Sequence, residues 1–294
     1  MQTFLLLLAL PFLIVLFIHL RAVSKFDRYA RDAMKHVRNS WGADNDDEIN
    51  PDAIPQIIHN FASKAGVPSS NPPLSVFFYQ LCQMRMKPGD AWMNLRAEQA
   101  IGVQKLSFVW YAEQKKSIFV TMRVVDGYVD SCGFLNVRAL GSLPLADMTG
   151  PGADEAELMR YLAELPWAPD AMLHNPNLRW HQLNDKTVEV EAGNGITVAK
   201  VRLYFDDAGD IVEMQADARG RAEGMEVVPR PWRGYYSDYR EIEGEFAGKT
   251  GFRRIPTKVE IGWLLEDGYF SYWRGQIATY GLEHDQRRGI SDAS

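Results

Sequence analysis

Glu157, Arg160 and Glu164 are the side chains whose spacing most invites a chemical reading. At i, i+3 and i+7 they share one face of any helix that carries them. Two readings fit that face. It is a solvated ion-pair ladder worth a few tenths of a kcal/mol per pair, or Arg160 or Glu164 turns inward. A buried charge is costly unless it has a partner, so an inward one would serve a ligand headgroup or proton chemistry. His174 and His181 flank Asn175-Pro176, too far apart on either side of that proline to act together from one helix, with no H-E-x-x-H and no third ligand nearby, so a metal site is not expected. Cys82 and Cys132 do not form a C-x-x-C; one disulfide fits, and two buried reduced thiols fit at least as well. G-x-S-x-G, P-loop and G-x-G-x-x-G signatures do not occur. Asp206-Asp207 and the acids from Asp44 to Glu48 fall in turn and linker sequence and read as solvated. No cofactor is expected. An enzyme, if this is one, would draw on buried polar groups such as Glu164 and Asp238; a non-enzymatic role is the stronger expectation.

The chain has 8 Trp, 12 Tyr and 14 Phe, and most of the Trp fall in or beside segments that read as strands. Tryptophan is large and carries an N–H that needs a partner, so it suits cavity walls as well as cores. The candidate ligand-binding set is Trp92, Phe108, Trp110, Arg160, Glu164, Trp167, Trp180, Trp263 and Trp273. Ordinary core packing is the competing reading of the same aromatics. A formal net charge of -6 argues against nucleic acid, whose backbone calls for clustered cations.

Several elements must position these groups. Phe4 to Leu20 reads FLLLLALPFLIVLFIHL, without an acid, Lys or Arg. As a helix it would span roughly 26 Å, slightly short of a bilayer core of about 30 Å. Residues 1–24 read as a membrane anchor, with a cleaved signal segment as the other reading. Arg21, Lys25, Arg28, Arg31, Lys35 and Arg38 follow the span, so the charge rule predicts a cytoplasmic domain. Residues 25–53 read as a juxtamembrane stalk and acidic linker. There Phe26, Tyr29, Ala30, Ala33 and Val37 recur at helical spacing, fitting either a helix laid on headgroups or a solvated stalk.

A single β-rich domain is expected over 54–283, with a disordered tail at 284–294. The domain opens on a short helix, Ile54 to Ala65. Period-two alternation follows around Ile118–Val125, Val188–Val190, Val201–Phe205 and Val259–Leu265. Compact turns are expected at Asp126-Gly127, Asn194-Gly195, Ala208-Gly209 and Asp267-Gly268. Four hairpins imply at least eight antiparallel strands. Asp154 to Leu165 carries an apolar stripe of Leu158, Tyr161, Leu162 and Leu165 and ends at Pro166; Trp167 to His174 adds a second short helix. The expected fold class is α+β: a large curved antiparallel sheet, a half-open β-barrel, with a short helical plug behind one N-terminal transmembrane helix.

Four segments carry a resemblance: AWMNLRAEQ (91–99), SFVWYAEQ (107–114), RYLAELPWAPDAML (160–173) and PWRGYYSDYREIEG (231–244), followed by RIPTKVEIGW. Together they resemble an uncharacterised bacterial domain family over most of residues 54–280. EFAGKTGFR (245–253) departs from it as an insertion. More distantly the pattern is similar to periplasmic lipoprotein-carrier and lipoprotein-sorting proteins, half-open barrels capped by helices around a cavity for acyl chains. That resemblance implies the periplasmic or outer face, against the charge rule. The leading expectation is a membrane-tethered module that binds an apolar or lipidic ligand. An envelope-assembly or scaffold protein working through protein contacts comes second, and an enzyme third.

Overall fold

The computed structural model describes residues 2–40, 49–116, 119–193, 195–224, 226–246 and 249–284. Residues 41–48 of the expected stalk and linker, Asn194 of one expected turn, and residues 285–294 of the expected tail lie outside this set. Of the apolar run at 4–20, residues 4–10 are described by helical backbone alone.

The chain begins with helix α1 (Gln2–Asn39), then a 3-10 turn and α2 (Gln56–Lys64). A first meander follows: β1 (Ser75–Met84), β2 (Met93–Gly102), β3 (Phe108–Lys116), β4 (Phe119–Val129), β5 (Cys132–Ala139) and β6 (Leu143–Thr149). Then come α3 (Pro151–Ala163), a 3-10 turn at Leu165–Trp167 and α4 (Pro169–His174). A second meander comprises β7 (Arg179–Asn184), β8 (Thr187–Gly193), β9 (Val198–Phe205), β10 (Ile211–Glu223), β11 (Glu226–Phe246), β12 (Lys249–Leu265) and β13 (Gly268–Glu283).

Among the described residues thirteen strands form one antiparallel sheet in the order β6-β5-β4-β3-β2-β1-β13-β12-β11-β10-β9-β8-β7. Alternation drives this: Ala199, Val201, Leu203 and Phe205 of β9 are buried while the residues between them are less so. The first and last strands make the seam, from Ser75↔Glu283 to Met84↔Trp273, with a bulge at Tyr79/Gln80. α3 touches β5 on one arm and β9 on the other, strands far apart in the sheet order. The sheet therefore curls into a half-barrel around α3. Leu158, Tyr161, Leu162 and Leu165 are fully buried there, in the main core.

Asp126-Gly127 is not a turn; it lies inside β4. The reversal comes at Asp130 and Ser131, both at positive φ (49° and 64°). Gly127 is needed for close approach, since a Cβ there would lie 2.4 Å from the Phe108 carbonyl oxygen. The other expected turns hold glycines at positive φ: Gly195 (87°), Gly209 (77°) and Gly268 (110°). Cys82 is buried, Cys132 is exposed, and neither is in a disulfide.

No helix among the described residues is long and apolar enough to cross a membrane. From His19 onward α1 lies on the outer face of the sheet. His19 Nδ1 meets Ser142 Oγ at 2.7 Å, Asp27 pairs with Arg123 at 2.9 Å, and Arg38 Nε donates to Glu283 at 3.1 Å. The apolar stripe expected to face headgroups or solvent packs on the sheet instead: Phe26, Ala30 and Val37 bury against Ala100, Val109 and Val125. Only Tyr29 stays largely exposed. Before His19, the side chains from Phe12 to Ile18 are exposed.

Candidate functional site

The two ends of the half-barrel differ. At one end α2 and α4 pack together and plug the curl, with the Phe61 ring edge-on to Phe205 and Tyr239. At the other end the β1–β2, β3–β4, β5–β6, β10–β11 and β12–β13 connections form an open rim, as the register pairs Met84↔Met93, Lys116↔Phe119, Ala139↔Leu143, Glu223↔Glu226 and Leu265↔Gly268 require.

A cavity of about 530 Å³ opens between the inner wall and α3. Its walls are apolar and flexible: Met84, Met86, Met93 and Met122, with Val124, Leu135, Val137, Leu145, Ile261, Tyr272 and Trp273. Such a volume suits a small-molecule ligand. A larger hollow of about 1040 Å³ lies on the outer face, over Leu81, Arg96, Glu113, Lys258, Glu260 and Arg274. It is wide open and lined with charges of both signs, so the inner cavity is the candidate site.

Five charged residues line that cavity: Asp126, Glu157, Arg160, Glu164 and Arg219. The stripe that buries Leu158 and Leu162 turns Glu157, Arg160 and Glu164 toward the cavity. Arg160 donates to Asp126 at 2.5 Å and to Glu164 at 2.8 Å, and lies 4.9 Å from the Phe108 ring and 5.2 Å from the Trp110 ring. Gln99 donates to the other oxygen of Glu164. Arg219 donates to the Ala156 carbonyl at 3.2 Å, covers the Trp232 ring at 4.5 Å and lies 3.5 Å from Glu157. Glu157 Oε2, Asp126 Oδ1 and Gln99 Oε1 are buried without a hydrogen-bond partner.

Burial, with Asp126 nearby, pushes the Glu157 carboxyl up to about 7. Burial likewise raises Asp126 and Glu164 despite their contact with Arg160. Burial works against the Arg160 charge, but Asp126, Glu164 and Glu157 overcome it and hold the guanidinium protonated. Cys82, on the wall behind, is pushed up to about 12 by burial, which removes it as a nucleophile near neutral pH.

Of the candidate residues, Trp110, Arg160, Glu164, Trp167 and Trp273 line this cavity. Phe108 supports Arg160 from the core, and Trp263 stacks on Tyr272 at 5.7 Å. Trp92 sits before β2, with Arg85 and Arg274 over its ring, and Trp180 lies on the edge strand β7; neither reaches the cavity. Asp238 is elsewhere on β11, held to about 2 chiefly by the hydrogen bond from Arg240, with Lys258 3.2 Å away. His174 contacts the Pro68 carbonyl at 3.1 Å. Among the described residues no group of three or more His, Cys, Asp or Glu could hold a metal ion. Sequence reasoning missed Asp126, Arg219 and the methionines. One signal was available: Met84-x-Met86 and Met93 flank a single hairpin and so share a rim.

The sequence model of DUF6544, a family of unknown function, matches residues 44–275. A search of curated proteins finds no sequence match. Among solved structures, a DUF1329 family protein from Desulfovibrio piger ATCC 29098 aligns at 9% identity and a TM-score of 0.42, covering 82% of this chain and 96% of that one. A domain described as that of an outer membrane lipoprotein-sorting protein from Vibrio parahaemolyticus aligns at 7% identity and a TM-score of 0.36, covering 83% of this chain and 99% of the other.

Proposed function

Because the chain belongs to the DUF6544 family, whose function is unknown, we propose a role from its own cavity: it is a binding protein that holds the apolar chain of an amphiphile inside the half-barrel. One observation carries this reading. A cavity open at the rim, walled by methionine, valine, leucine and tryptophan, ends on a buried charged cluster that only an amphiphile would match along its length. Each buried CH₂ contributes roughly 0.8 kcal/mol, so a chain of modest length reaches micromolar affinity after ordering costs. Methionine suits such a wall because its unbranched thioether side chain repacks around chains of different shape.

The tether is part of the proposal. The exposed apolar residues from Phe12 to Ile18 precede the point where His19 touches Ser142, which lies in the β5–β6 connection of the open rim. That end of α1 would rest in a lipid surface, close to the mouth. Flotation of the full chain with vesicles, and its loss when residues 1–18 are removed, tests this part separately.

The cavity reading is tested with a medium-chain alcohol brominated near its end. It should quench the emission of Trp110, Trp167, Trp232 and Trp273, and Ala146→Trp, which fills the cavity, should weaken binding at least about tenfold, or 1.4 kcal/mol. Unchanged emission on titration, or quenching that Ala146→Trp leaves intact, would overturn it.

A further inference from the structure

We propose that the head of the bound amphiphile carries a protonated primary amine, and that Glu157 and Asp126 receive it. The proposal rests on the cavity reading above and adds the class of headgroup.

With every carboxyl ionised, the cavity's charges do not balance. Three carboxylates, Asp126, Glu157 and Glu164, face two guanidiniums, Arg160 and Arg219. Among the described residues no other charged one lines the cavity to make up the difference. The hydrogen bonding is lopsided in the same direction. Three buried acceptors in the cluster lack partners, Glu157 Oε2, Asp126 Oδ1 and the Gln99 amide oxygen beside Glu164, against one donor nearby, the amide nitrogen of the Gln80 side chain that Trp110 bonds. Glu157 is only 7% exposed and Asp126 only 8%. Leaving such atoms unpaired costs more than an ordinary hydrogen bond gains. What the site lacks is therefore a positive charge that also donates hydrogen bonds.

The geometry selects among cations. A quaternary ammonium has no N–H and is normally held against aromatic faces. Here Trp110 and Phe108 already have Arg160 over their rings, and Trp232 and Trp263 have Arg219. A primary ammonium offers three donors to the unpaired oxygens. An anionic head would meet a site already in excess of negative charge. Glu157 is the residue held near neutrality by its surroundings, and an arriving ammonium would favour its ionised form.

The test uses the full chain kept soluble by an amphipathic polymer, titrated at pH 7 with octylamine, octyltrimethylammonium, octanol and octanoate, and read by Trp emission. Octylamine should bind about tenfold tighter than octanol, with octanoate weakest and the quaternary amine no better than octanol. In Glu157→Gln the amine preference, taken as the ratio of octylamine to octanol affinity in the same variant, should fall to about threefold or less. Asp126→Asn is the second variant, and calorimetry in two buffers of different ionisation enthalpy reads proton release on amine binding to the unaltered protein. Equal binding of all four, tighter octanoate, or an amine preference that survives both variants would overturn the headgroup proposal while leaving the cavity reading intact. Failure of all four to bind would overturn the cavity reading itself, and the headgroup with it.

Discussion

Two buried charge clusters lie inside the half-barrel, and they are built to different standards. At the closed end Asp170 of α4 is fully buried and Arg253 of β12 nearly so. They meet in a fork, Arg253 Nε to one carboxylate oxygen at 2.9 Å and a terminal nitrogen to the other at 2.8 Å, and the remaining terminal nitrogen donates to the Phe252 carbonyl at 2.9 Å. Both carboxylate oxygens have donors. In the cavity Glu157 and Asp126 each keep an oxygen with none. A buried charge with every partner in place closes a structure. One left incomplete in a cavity wall is poised for something that arrives from outside.

Asp170→Ala should break that contrast most violently. It leaves Arg253 buried without its carboxylate and should cost about 3–5 kcal/mol, read as a lower urea midpoint with an unchanged slope. A loss under about 1 kcal/mol would mean the closed end is not held by this pair.

The second effect concerns pH. Glu157 titrates at about 7 in the folded protein, against an ordinary value of 4.5. The folded state therefore binds more protons between these values, and stability falls as pH rises through the window. At about 1.4 kcal/mol per unit the contribution of Glu157 is on the order of 3 kcal/mol. Asp126 and Glu164 are raised as well and act in the same direction. Urea unfolding from pH 5 to 8 should show the decline, and Glu157→Gln should make it shallower. An equally steep decline in the variant would place the proton elsewhere.

The smallest effect should come from Lys64→Met. Lys64 meets Asp210 at 2.7 Å, but it is partly exposed and Arg254 already grips both Asp210 oxygens at 2.6 and 2.7 Å. Thermal unfolding should register a change below about 1 kcal/mol. A larger one would show that matched pairs near the surface also hold this end.

The parts of the fold legible in the sequence were those with a strong local period. Val201, Leu203 and Phe205 in β9 and the stripe of α3 announced themselves because one face is buried and the other is not. β6 did not, because as an edge strand nearly all of it is exposed and no alternation is imposed on it. Asp126-Gly127 reads as a turn by composition, yet tertiary packing puts it in a strand, where the glycine lets β3 come close. The site divides the same way. Arg160 and Glu164 could be placed on one helix face from spacing. Their inward direction could not, since it depends on Asp126 of β4, Gln99 of β2 and the Arg219 guanidinium of β10, which only the curl of the sheet brings near. Of the EFAGKTGFR segment, which looks like an insertion, residues 245–246 and 249–253 extend strands β11 and β12, and Arg253 reaches the closed end.

The β1–β13 seam also dictates an order of assembly. Each meander can zip from neighbouring hairpins as it leaves the ribosome, but Ser75 finds its partner only when Glu283 has been made. Pairing at that separation is slow to find, and until it forms the nascent chain carries long open edges. In the finished protein the sheet ends at β6 and β7, both short. A chain cut before Gly268 would instead expose β1 and the long β12 as unpaired edges, a template for pairing with other copies.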